Sequence, residues 1–132
     1  MSINKRTFVL LILSIVWAII IFILCTMPAS GLPKIKLPYI DKVVHFGVFF
    51  VQSVLLSFLF SFRTRKSYFQ IILLSTLMAF VYGGIIEILQ NNVFDRTGDV
   101  YDLIADVLGG FAGAVLYPIL LRFFNLLSKK QT

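Results

Sequence analysis

Residues 7–27, TFVLLILSIVWAIIIFILCTM, run for 21 positions without a charge. At about 1.5 Å per residue, such a run crosses the ~30 Å hydrocarbon core of a bilayer as one helix. A helix that is apolar on every face belongs either to the interior of a large protein or to a membrane, and a chain of 132 residues is too short for the first. Lys5 and Arg6 precede the run, as basic residues precede a secretory signal. The run exceeds a signal-peptide core, however, and further apolar segments follow it. It is read as a permanent first helix, with cleavage at PASG (Pro28–Gly31) as the alternative.

The composition agrees with a lipid solvent. Hydrophobic residues make up 59% of the chain and charged residues 14%, with 14 phenylalanines. A domain this small would bury only about two-thirds of its extended surface in water, too little to hide so much apolar material. The single cysteine, Cys25, leaves no intrachain disulfide and reads as a small core hydrophobe. The net charge of +6 invites a nucleic-acid partner. The basic residues form no stripe interleaved with aromatics, so no nucleic-acid partner is expected.

Outward from the first span, Pro28, Pro33 and Pro38 mark a loop. A second helix is predicted over about 40–62, followed by a basic turn at Arg63, Arg65 and Lys66. A third helix is predicted over about 68–89 and a fourth over about 100–126, joined by the turn-prone NNVFDRTG of residues 91–98. The expected fold is all-α: a polytopic membrane protein forming one compact bundle of four transmembrane helices within one domain, 1–132. Eight of the 12 basic residues (Lys5, Arg6, Arg63, Arg65, Lys66, Arg122, Lys129 and Lys130) fall on one side. By the positive-inside rule both termini are cytoplasmic. All six acidic residues fall at the opposite face.

Ala105, Gly109 and Gly113 recur every fourth position on the fourth helix, and Ser75, Ala79 and Gly83 do so on the third. In lipid, small faces let backbones approach closely, so these two are expected to meet. A homodimer through the same faces is the alternative.

Three helices also bring polar residues to one membrane face. Asp41, Lys42 and His45 share one side of the second helix, Glu87 and Gln90 lie near the end of the third, and Asp99, Asp102 and Asp106 descend the start of the fourth. Asp99 suits an N-cap and Asp102 the positive end of the helix dipole. Asp106 lies about 10 Å further along the helix, too deep for capping, and must face a partner or stay protonated. His45 is either a satisfied buried histidine, a proton carrier or a metal ligand. A divalent metal is allowed by these ligands, with its identity open. Lys42 and Arg96 balance the acids or clamp an anionic group. Gln52 lies deeper and reads as structural, while Phe46, Phe49, Phe50 and Phe94 can shape an apolar boundary.

The segments YIDKVVHFGVFF (39–50), GGIIEILQ (83–90) and FDRTGDVYDLIADVLGGFAGA (94–114) resemble the motifs of the VanZ-like membrane protein family. The resemblance spans three helices and covers nearly the whole chain with the first. It carries the family motif onto Asp41, Lys42, His45, Phe46, Glu87, Gln90, Arg96, Asp99, Asp102 and Asp106. It implies a multi-pass protein of the bacterial cytoplasmic membrane, in contact with membrane lipids. Because the family takes its name from an accessory protein of teicoplanin resistance, glycopeptide resistance is a family-level expectation.

The leading functional expectation is recognition of an envelope lipid, an anionic lipid or a cell-wall precursor at an outer-leaflet polar site. An enzyme would use the same residues for hydrolysis or transfer on a lipid-linked substrate. His45 or Glu87 would then accept a proton, and Asp102 or Asp106 would position a metal or the acid–base partner. Proton-coupled transport and a purely structural module are the remaining readings.

Overall fold

The computed structural model describes residues 4–27, 39–94 and 98–129. These form four helices: α1 (Lys5–Thr26), α2 (Ile40–Arg63), α3 (Tyr68–Asn92) and α4 (Val100–Lys129). Each is long and apolar enough to cross a membrane. Local chemistry sets several ends. The Asn4 side chain accepts a hydrogen bond from the Arg6 backbone N–H, so α1 takes in both basic residues ahead of the apolar run. Ser67 and Gln70 form a reciprocal capping box at the start of α3. Asn92 donates back to the Ile88 carbonyl at 2.7 Å, which carries α3 about one turn beyond the residue 89 expected from hydropathy.

The helices alternate in direction, so the start of α1 and the end of α4 lie at the same end of the bundle. Long-range hydrogen bonds set their register. Trp17 Nε1 donates to the Val48 carbonyl at 2.9 Å, the Tyr82 hydroxyl to that of Ala18 at 2.6 Å, and Gln90 Nε2 to that of Cys25 at 2.6 Å. Among the described residues α1 packs on α2 and α3, α4 packs on the same two, and α1 and α4 do not meet.

The small residues of α4 serve two neighbours rather than the expected one. A Cβ at Gly109 or Gly113 would collide with the carbonyl oxygen of Phe46 or Phe50, so these glycines seat α4 directly on the backbone of α2. Gly110, one position and about 100° further round, meets Ala79 of α3, and Gly83 of α3 meets the side chain of Asp106. The α3–α4 contact is therefore present, but Gly109 and Gly113 of α4 face α2. Hydropathy could not show this, because neighbouring small residues present small surface in both directions.

The bundle wears its apolar side chains outside. Phe8, Ile12, Ile19, Phe69, Leu73, Phe80 and Ile119 are exposed, whereas Ser14, Ser53, Ser57 and Ser75 are buried. The Ser57 and Ser75 hydroxyls bond each other at 2.9 Å between α2 and α3. That inversion is the signature of a protein solvated by lipid. The protein is a membrane-spanning four-helix bundle.

Candidate functional site

Because α2 and α4 both start at one end of the bundle and α3 finishes there, their polar first and last turns converge. Lys42 reaches from α2 to α4, where its ammonium donates to Asp99 Oδ2 at 2.6 Å and to Asp102 Oδ1 at 2.9 Å. As an anion clamp Lys42 is therefore already engaged; it is a charged strut between two helices.

Asp99 has three partners. Its Oδ1 accepts from the Tyr101 backbone N–H at 2.8 Å, its Oδ2 accepts from Lys42, and its own backbone N–H donates to Glu87 Oε2 at 2.8 Å. The capping role and the ionic role thus coincide in one side chain, and the same residue ties α3 to α4.

Asp99 stands outside the spans, and its carboxyl is held below the ordinary range by the hydrogen bond from Lys42, with the Tyr101 N–H adding to the effect. A depressed folded-state pKa stabilises the fold in full above the unfolded value of about 4 and loses that contribution as pH falls below it. Thermal unfolding of the wild type should thus lose a component below about pH 4 that Asp99→Asn lacks at every pH. Parallel pH profiles for the two proteins would refute this role.

Deeper in, His45 Nδ1 lies 2.9 Å from Asp106 Oδ1, with both side chains buried. The Cys25 side chain is a second hydrogen-bonding neighbour of the imidazole. Sequence reading gives Cys25 only as a small core hydrophobe, and its burial in the core layer agrees. Counting turns from the end of the first span would have brought it to the level of His45. Gly83, expected only as part of a helix-packing face, has a second role: a Cβ there would fall 2.5 Å from Asp106 Oδ2, so the glycine makes room for a carboxylate rather than for a helix alone.

Asp106 Oδ2 and Glu87 Oε1 are buried without a hydrogen-bond partner among the described residues. Two groups have ligand atoms within 4.8 Å of one another and so could hold a metal ion: His45, Glu87 and Asp106, and Asp41, His45 and Asp102. Gln90, expected as a ligand contact, is turned inward onto the Cys25 carbonyl and helps fix α1. Arg96, together with Asp95 and the PASG segment, lies outside the described residues.

One hollow reaches these groups and another lies deeper in the bundle. A cleft of about 330 Å³ between the end of α3 and the start of α4 is lined by Glu87, Asn91, Asn92, Gly98, Asp99 and Leu103. A cavity of about 260 Å³ lies between α1, α2 and α3, walled by residues such as Phe49, Leu56, Met78 and Tyr82. Gln52 and Ser53 border it with unpartnered oxygens, but its walls are chiefly apolar. Phe49, Ile21, Ala79 and Ile86 pack as a core layer between the buried acids and the deeper polar groups.

Fold and site together define an integral membrane protein with an acid-rich polar site at one end of a four-helix bundle. Its sequence places it in a known family: residues 8–122 match VanZ/LLP1, and the chain belongs to that family. A 78-residue segment is 33% identical to an uncharacterized protein of Schizosaccharomyces pombe, taking in 58% of this chain and 46% of the relative. The chain thus aligns with somewhat under half of that protein's length. No solved structure matches.

Proposed function

We propose that this VanZ-like protein recognises the polar head of an envelope lipid or cell-wall-related ligand at the outer face of a bacterial cytoplasmic membrane, with both termini in the cytoplasm. The observation that carries the reading is the cleft between α3 and α4. Its carboxylate, amide and backbone groups stand beside Ile88, Val100 and Leu103 at the end of an otherwise hydrocarbon-facing bundle, and it shares Glu87 with the buried cluster. Lipid headgroups and wall precursors offer hydroxyl and amine donors that Glu87, Asn91 and Asn92 can accept. The engagement of Lys42 by two carboxylates favours recognition through such donors over capture of a bare anion.

A similar segment in a eukaryote favours a membrane lipid over a glycopeptide-specific target, leaving resistance as a family-level association. The homodimer reading loses its small-residue faces to contacts within the chain.

The His45–Asp106 pair favours hydrolysis or transfer as the second reading, because a histidine oriented by a carboxylate is the usual form of a general base. Both readings are tested with Glu87→Gln and Asp106→Asn in nanodiscs of defined lipid, by native mass spectrometry for retained lipid and by product analysis for turnover. Recognition predicts at least a ~10-fold loss of retained lipid in Glu87→Gln, the loss of one charge-assisted hydrogen bond. Lost turnover with retained lipid would support the enzyme. Lipid retention by both variants equal to the wild type would remove the cleft as the site.

A further inference from the structure

We infer that His45, Glu87 and Asp106 bind one divalent transition-metal ion of the zinc class, set directly behind the ligand cleft. The three side chains come from α2, α3 and α4, and each offers a ligand atom within 4.8 Å of the other two. Proximity of acids would not suffice, since carboxylates often cluster at helix ends. The second observation is that Glu87 Oε1 and Asp106 Oδ2 are buried and have no hydrogen-bond partner among the described residues. Their side chains belong to residues that are 9% and 0% exposed. At membrane depth an unpaired carboxylate oxygen is costly, so each requires a cation or a proton.

The space is built for the purpose. At Gly83 a side chain of even one carbon would press on the unpartnered Oδ2 of Asp106, and that oxygen keeps its place because none is there. The neighbouring group of Asp41, His45 and Asp102 is the weaker site, because the Lys42 ammonium already sits 2.9 Å from Asp102. Nothing comparable faces Glu87 and Asp106 among the described residues: Glu87 Oε2 takes a neutral backbone N–H from Asp99, and Asp106 Oδ1 faces His45.

Ligand chemistry selects the metal. One imidazole nitrogen and two carboxylate oxygens suit zinc and its first-row neighbours, whereas magnesium and calcium take oxygen ligands. Tetrahedral ligands at ~2.1 Å from a shared ion lie ~3.4 Å apart, and three ligand atoms already within 4.8 Å of one another can reach that spacing by side-chain rotation. Cys25, as a hydrogen-bonding neighbour of His45, would orient the ring in the way outer-shell partners do. Three protein ligands leave a coordination position open, and Glu87 also lines the cleft, so an ion here would place positive charge behind a bound headgroup.

The test uses the full-length, tag-free chain in nanodiscs, without added ligand, equilibrated with zinc and then washed in metal-free buffer. Elemental analysis should find about one zinc per chain, and zinc should raise the unfolding temperature over chelator by about 10 °C, for roughly a hundredfold excess over the dissociation constant. Glu87→Gln and Gly83→Ala should each lose the zinc and the shift. Gly83→Ala keeps all three ligands, so its failure would report the space beside Asp106 and serves if Asp106→Asn does not fold. A wild type with no retained zinc and no shift would overturn the site and assign protons to the two oxygens. Zinc retained equally by the variants would be surface binding and would overturn it too. Because no lipid ligand is involved, a wild type that holds zinc but retains no lipid would refute the proposed function alone.

Discussion

Replacing Gly109 or Gly113 with alanine should lower stability by about 3 kcal/mol, the upper range for overpacking, and the double substitution by more. At both positions the added carbon would meet a backbone carbonyl of α2, that of Phe46 or Phe50, and a backbone oxygen has no rotamer into which it can retreat. The helices must separate, and with them the pairs Lys42–Asp99, Lys42–Asp102 and His45–Asp106 that span the same interface. The contrast lies in Gly47 and Gly84, where a Cβ would find nothing within 4 Å. Alanine there should be neutral or stabilise by up to ~1 kcal/mol, the helix-propensity difference. Detergent-titrated unfolding, followed by fluorescence of the single tryptophan, Trp17, measures all four. Equal effects at Gly109 and Gly47 would refute the backbone-contact account.

Lys42→Met should cost about 2 kcal/mol, between the surface and buried ranges, because the Lys42 side chain is 28% exposed whereas Asp102 is buried. The loss arises less from the missing attraction than from what remains: Asp102, 3% exposed, would keep its charge beside Asp99 and Asp41 with no ammonium to meet it. Adding Asp102→Asn removes that stranded charge, so the double variant should recover a large part of the loss. The same unfolding measurement completes the double-mutant cycle, and additive losses would show that Lys42 and Asp102 do not act as a pair.

Much of this was legible before any tertiary contact. Four apolar runs, broken by prolines and basic turns, dictate four spans because lipid cannot satisfy an exposed backbone. Helical periodicity also put Asp41, Lys42 and His45 on one face and lined Asp99, Asp102 and Asp106 down another. Asp106 could be recognised as internal because its depth excluded both capping and lipid. The dual role of Asp99 was half legible: an N-cap follows from local sequence, whereas a bond from Lys42, 57 positions away, does not.

By itself, then, the sequence determined the solvent, the number of spans and the end of the bundle at which the acids gather, since each depends on hydropathy and chain direction along one helix. Only the tertiary structure decided which acids pair and which stay unpaired. Lys42 goes to Asp99 and Asp102, His45 goes to Asp106, and one oxygen each of Glu87 and Asp106 is left unpartnered. It also decided that Gly109 and Gly113 serve α2, and that Gly83, expected to face α4, makes its room for Asp106. The physical reason is the same in each case. Pairing and close approach depend on the relative rotation of helices, which packing sets over distances that no local pattern of residues encodes.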